Sequence, residues 1–190
     1  MTGASSPVSG TPPGPVSAGP GGVCVLGIGN VLMRDDAFGP YVVRVLEASY
    51  AVPENVSLVD AGTPGHDMTL YMEGRDTLIV VDAVNAGGHP GELRRYTLEE
   101  IIRTPPPQVM SPHEPGLKDA LLKLKFTGGL PAEVLLVGAI PGEVDTGSHL
   151  TPAVQAAVPK AVAEVVALLR ERGVPVAERV PPGEPDLWWE

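Results

Sequence analysis

The sequence predicts a three-layer α/β domain, a mainly parallel sheet between helices, on two observations. Four short apolar runs rich in β-branched residues recur along the chain, separated by stretches whose apolar residues fall at helical spacing. The runs do not alternate apolar with polar, so both faces of each are expected to be covered, as in a parallel sheet flanked by helices.

Residues 1–22 carry 15 Gly, Pro or Ser and no charged side chain. They hold too little apolar surface to offset the entropy of ordering, and are expected to form a disordered extension. A single α/β domain follows over 23–173. "GVCVLGI" (22–28) reads as the first strand, and "NVSLVD" (55–60), "TLIVVD" (77–82) and "EVLLVGAI" (133–140) as three more. "GELRRY" (91–96) is a weaker candidate whose charges suit a sheet edge. Between Ala37 and Ser49, Phe38, Val42, Val45 and Leu46 mark a helix, with Pro40 tolerable where first-turn amides have no intrahelical partner. A second helix spans Glu114 to Phe126 on Leu117, Ala120, Leu121 and Leu124, with Lys118, Lys123 and Lys125 facing outward. Those lysines read as a solvated helix face or as a patch that steers a partner. The last helix opens with Thr151 as N-cap and Pro152 at its first position, runs through Val154, Val158, Val162, Val165 and Leu169, and stops at Gly173, with a kink at Pro159. Residues 174–190 are Pro-rich and acidic and end with both tryptophans, Trp188 and Trp189; a loose tail is expected.

Composition narrows the function. A chain of 190 residues with 43% apolar content supports one packed domain, and a formal charge of −10 offers no footprint for nucleic acid. The single cysteine, Cys24, lies in an apolar run and is expected to pack. No apolar run of membrane-spanning length and no signal-peptide pattern stand out, so a cytoplasmic location without membrane attachment is expected. A monomer is the default.

Ligands of open α/β sheets bind beyond the carboxyl ends of the strands. Asp60 and Asp82 each end an apolar strand, and Asp35 and Asp36 follow the first strand by a short loop, so all four are candidates for one crevice. Each alone is as readily a turn or cap residue, and Asp35 reads as the cap of the pair. Together they would repel one another unless a cation or proton intervened. A dinucleotide fits poorly, because "GIGNVL" has Leu32 where G-x-G-x-x-G needs its last glycine. Of four histidines, His113 is held between prolines in "SPHEPGL"; His66 in "GTPGHD" competes, while His89 and His149 lie in Gly-rich loops. Two carboxylates and an imidazole would make an open divalent site suited to zinc or nickel. Neither G-x-S-x-G nor a Cys beside a base is present to serve a nucleophilic hydrolase.

"GIGNVLMRDDAFG", "DAGT" (60–63), "VVDAV" (80–84), "SPHEPGL" (111–117), "LVGAIP" (136–141) and "LTPAV" (150–154) together resemble the hydrogenase maturation endopeptidases, in order and spacing from about Val23 to Gly173. The resemblance implies a protease that removes a C-terminal peptide from the large-subunit precursor of a nickel-iron hydrogenase after nickel insertion. It also implies a twisted sheet of about five strands, one of them antiparallel. Residue by residue, the metal-contacting acid after the first strand falls on Asp36, the acid ending the "VVD" strand on Asp82, the imidazole on His113, and the acid of the D-x-G-T turn on Asp60. The implied catalytic set is thus Asp36, Asp60, Asp82 and His113, with Asp36, Asp82 and His113 as metal ligands and Asp60 or Asp82 as base. Relatives have Glu or Asp where Asp36 stands, many have Gly where Ala37 stands, and the extension before Val23 has no counterpart. The implied cofactor is nickel carried by the substrate, with other divalent ions able to substitute in vitro. Recognition through that metal would reject a precursor lacking it. A non-proteolytic nickel chaperone would need the same acids and histidine without a water positioned for attack, whereas a self-contained zinc peptidase would cut unloaded precursor.

Overall fold

A computed structural model describes residues 22–64, 68–103 and 114–190. The reading of 1–22 as disordered lies outside the described residues except for Gly22, which exchanges hydrogen bonds with Asp76, and the positions of His66 and His113 lie outside them too.

Five strands form the main sheet in the order β3-β1-β4-β6-β5: β1 (Val23–Ile28), β3 (Val56–Gly62), β4 (Thr77–Ala83), β5 (Leu93–Thr97) and β6 (Glu133–Ala139). β1, β3, β4 and β6 run parallel and β5 runs antiparallel to β6. Every residue of β1 and β4 is buried, as expected of uninterrupted apolar strands at the centre, whereas β5 carries its charges along an edge. On one face, α1 (Phe38–Ser49) and α6 (Val158–Glu171) pack on Val25, Ile79, Val81 and Val137. On the other, α2 (Thr69–Met72), α3 (Leu98–Arg103) and α4 (Glu114–Thr127) cover Cys24, Leu26, Leu78, Val80 and Leu136. The three predicted layers are present.

Two glycines set how closely α1 lies on the sheet. A Cβ on Gly39 would meet the carbonyl oxygens of Ile28 and Val81 at 2.3 Å each, and one on Gly27 would meet the Gly39 carbonyl oxygen at 2.6 Å. The helix start therefore rests directly on the carboxyl ends of β1 and β4.

The C-terminal region departs from expectation in three ways. The last helix does not kink at Pro159: α5 (Pro152–Gln155) ends, and α6 restarts with Pro159 in its first turn. Proline has no amide to donate and its ring would clash with the carbonyl four residues back, so restarting costs less than continuing. Thr151 is the N-cap residue, yet its hydroxyl does not cap the helix. The tail is not loose: β7 (Ala177–Glu178) pairs with β2 (Tyr50–Ala51), the Gly183 amide donates to the Ala48 carbonyl at 2.8 Å, and Trp189 is 7% exposed, edge-on to Tyr41. The Trp189 ring gains more by burial against Tyr41 of α1 than a polar tail gains by solvation, while Trp188 stays exposed.

By length and composition the helical stretch Pro152–Glu171 could cross a membrane, contrary to the expectation that no run reaches that length. In the fold it is broken between α5 and α6, and the stripe of Val158, Val162, Val165 and Leu169 is buried in the core.

Candidate active site

β1 and β4 are neighbours in the sheet, but their outgoing connections leave in opposite directions. β1 leads through α1 to β3 on one side, and β4 leads through α4 to β6 on the other. Such a reversal opens a crevice at the carboxyl ends of the two strands. A 3-10 turn, Arg34–Ala37, occupies the exit of β1 and packs against β4. It carries Asp36, 3% exposed, while the end of β4 carries Asp82, fully buried. Both acids thus stand buried at the carboxyl ends of the neighbouring strands β1 and β4.

Asp36 is held by the loop before it. Its Oδ2 accepts the Asn30 amide at 2.8 Å, and the Asn30 side-chain oxygen accepts the Leu32 amide at 3.0 Å. A Cβ at Gly29, where φ is +149°, would lie 1.8 Å from the Asp36 carbonyl oxygen, so only glycine lets the strand exit pass so near the acid. Asp82 Oδ1 accepts its neighbour's amide, that of Ala83, at 2.8 Å. By strand alternation Asp82 continues the series Leu78 and Val80 and leaves the sheet on the α4 face, the helix that His113 immediately precedes in sequence.

Asp60 is placed differently. It continues the alternation of Leu58, which packs with the α1 and α6 layer, and its Oδ2 meets the Arg44 guanidinium of α1 at 3.1 Å. Its Oδ1 accepts the Gly62 amide at 3.1 Å, closing the turn where the β1–β3 register shifts. By alternation Asp60 and Asp82 therefore leave the sheet on opposite faces. Arg44, not noticed in the sequence, also binds Glu47 at 3.1 Å; burial pushes the Glu47 carboxyl up, against the pull of that guanidinium. A basic residue one and a half turns into the first helix was the only available signal for this pair.

Asp35 does not cap its own helix. Fully buried, it accepts four hydrogen bonds from a distant loop: the amides of Gly142 (2.7 Å), Glu143 (3.0 Å) and Thr151 (2.6 Å), and the Thr151 hydroxyl (2.8 Å). This explains why the Thr151 hydroxyl is not used as a cap. Arg34, at φ +45°, pairs with Glu143 and Asp145 of the same loop. His149, one of the unrestrained histidines, meets Glu190 of the tail at 3.2 Å, and His89 lies in the loop before β5. Among the described residues no group of three His, Cys, Asp or Glu side chains could hold a metal, so a three-ligand site depends on a residue outside them, such as His113 or its competitor His66.

Comparisons with known proteins agree with this architecture. A family model described as hydrogenase maturation protease matches residues 40–168, a range that includes Asp60, Asp82 and His113 and begins just after Asp36. The hydrogenase 2 maturation protease of Escherichia coli K12 is 39% identical over 158 residues, spanning 83% of this chain and 96% of its own. Among solved structures, the hydrogenase maturating endopeptidase HybD from E. coli superposes with a TM-score of 0.77 at 38% identity, covering 84% of this chain and 99% of its own. The [NiFe] hydrogenase maturation protease HybD of Thermococcus kodakarensis gives 0.66 at 29%, covering 77% and 98%. The chain belongs to the hydrogenase maturation protease family.

Proposed function

We propose that this protein is the endopeptidase that removes the C-terminal peptide from a nickel-iron hydrogenase large-subunit precursor once nickel has been inserted, and that it recognises its substrate through that nickel. The observation that carries the reading is the pair of buried carboxylates, Asp36 and Asp82, at the crevice between β1 and β4. Carboxylate oxygens are suited to a divalent ion, and one arriving at this strand end could engage both acids at once. His113 is the third donor on this reading, and oxygen and nitrogen ligands suit nickel or zinc.

The ion is cargo of the precursor. When bound it can polarise the scissile carbonyl or acidify a water. The chain's own part is to hold the carboxylates in place and to accept a proton. Asp82 is the preferred base, since Asp60 faces α1 and is engaged by Arg44. A site completed only by the substrate's metal should bind free nickel weakly.

The test is to incubate the protein with nickel-loaded and metal-free precursor and weigh the products by mass spectrometry. A mass loss equal to the C-terminal peptide, confined to the loaded precursor, is expected. An intact loaded precursor would mean an assembly factor, and cleavage of metal-free precursor would mean a self-contained zinc peptidase.

A further inference from the structure

We propose that Asp35 is a positioning residue for its neighbour Asp36, the two acids having separate tasks: Asp35 clasps the 142–151 loop, and the clasp fixes where the Asp36 carboxylate stands. The inference rests on the reading of Asp36 as the residue that meets the substrate's metal. Its basis is that a fully buried carboxylate receives four donors from residues 107 to 116 positions away, with none from its own helix. The backbone adds further ties between the same two segments. The Asp35 amide donates to the Glu143 carbonyl at 3.2 Å, the Arg34 amide to the Gly147 carbonyl at 2.9 Å, and the Gly147 amide to the Leu32 carbonyl at 3.0 Å.

The turn that carries Asp36 is only four residues long and holds Arg34 at φ +45°, a conformation uncommon for a residue with a side chain. Such a backbone persists only when its surroundings over-determine it. The clasp supplies that determination. Asp36 then follows as the next residue, with its Oδ2 on the Asn30 amide.

The Asn30 amide is consequently a reporter of Asp36 placement that needs no substrate. Asp35→Asn conserves shape but leaves one acceptor oxygen for donors that approach both, and turns an NH2 group toward amides that also donate. Hydrogen exchange should then speed about tenfold or more at Asn30 and leave Leu136 in β6 unchanged. Cleavage of loaded precursor should show kcat/KM lowered about 10- to 100-fold. Thr151→Val removes one donor of the four and should give a smaller change of the same kind, and Thr151→Ser should restore wild-type behaviour. If Asp35→Asn does not fold, Thr151→Val decides. Unchanged Asn30 exchange in the folded variant overturns the proposal, whatever its cleavage rate; so does a loss of thermal stability with kcat/KM intact. If the wild-type protein leaves loaded precursor uncut, the protease reading fails while Asn30 exchange still decides this one.

Discussion

Replacing Trp189 with alanine tests whether the last residues belong to the folded domain. The indole is 7% exposed, with its ring centroid 5.9 Å from Tyr41 and 5.7 Å from Trp188, both edge-on. A buried tryptophan removes roughly 150–250 Å² from water, about 4–6 kcal/mol at about 25 cal/mol per Å². Its Nε1 is buried with no hydrogen-bond partner among the described residues, which offsets roughly 1–3 kcal/mol of that gain. About 3 kcal/mol should be lost, at the low end for aromatic truncation in a core. For a chain of this size that lowers Tm by roughly 6–12 °C. The assay has an internal control, because Trp188 and Trp189 are the only tryptophans: fluorescence follows the tail, and far-UV circular dichroism follows the sheet and helices. The two urea transitions of the wild-type protein should coincide. A Tm change below about 2 °C on Trp189→Ala, the range of a surface substitution, or a fluorescence transition that clearly precedes the dichroism, would refute the docked tail.

Asp36→Asn and Asp82→Asn should each reduce cleavage of loaded precursor by about 10³-fold or more while the protein stays folded, whereas Asp60→Asn should cost about tenfold or less through loosening of the Gly62 turn; equal losses in a mass-spectrometric rate assay would contradict the separation of faces. Burial, opposed by Arg75, pushes the Cys24 thiol up to about 11, so a thiol reagent at pH 8 should label one equivalent in denaturant and almost none in the native protein; rapid native labelling would sink this. Burial, then the hydrogen bond to Glu190, raises the Tyr41 hydroxyl above its ordinary 10. Its stabilising share is therefore intact below pH 10 and fades as pH rises further, so in urea titrations Tyr41→Phe should be weaker by about 1 kcal/mol at pH 8 and lose less than wild type above pH 10. Lys123 and Lys125 are exposed on α4 whereas Lys118 is half-buried; if the exposed pair steers an acidic partner, changing both to Gln should slow processing more at low than at high salt, and equal slowing would leave them as a solvated face.

What could be read from the chain follows the range of the interactions involved. β1 and β4 were legible because strands covered on both faces write their burial into every position, and β5 because an edge tolerates Arg94 and Arg95. Asp36 and Asp82 were legible as strand-end acids. The faces they and Asp60 occupy were not, because alternation gives only relative parity, and which helix layer receives each parity is decided by tertiary packing. The same limit hid the roles of Asp35 and Trp189, whose partners lie more than a hundred residues away. Asp35 shows the consequence most sharply. Beside Asp36 in the sequence it looks like a redundant cap, since local chemistry offers a short acid before a helix no other employment. In the fold its four donors satisfy a buried charge that would otherwise be untenable, so the tandem acids divide into one that holds the 142–151 loop and one that accepts the Asn30 amide at the exit of β1. A substitution scan that treated the pair as interchangeable would find both sensitive; only exchange at Asn30 separates the acid that is placed from the acid that places it.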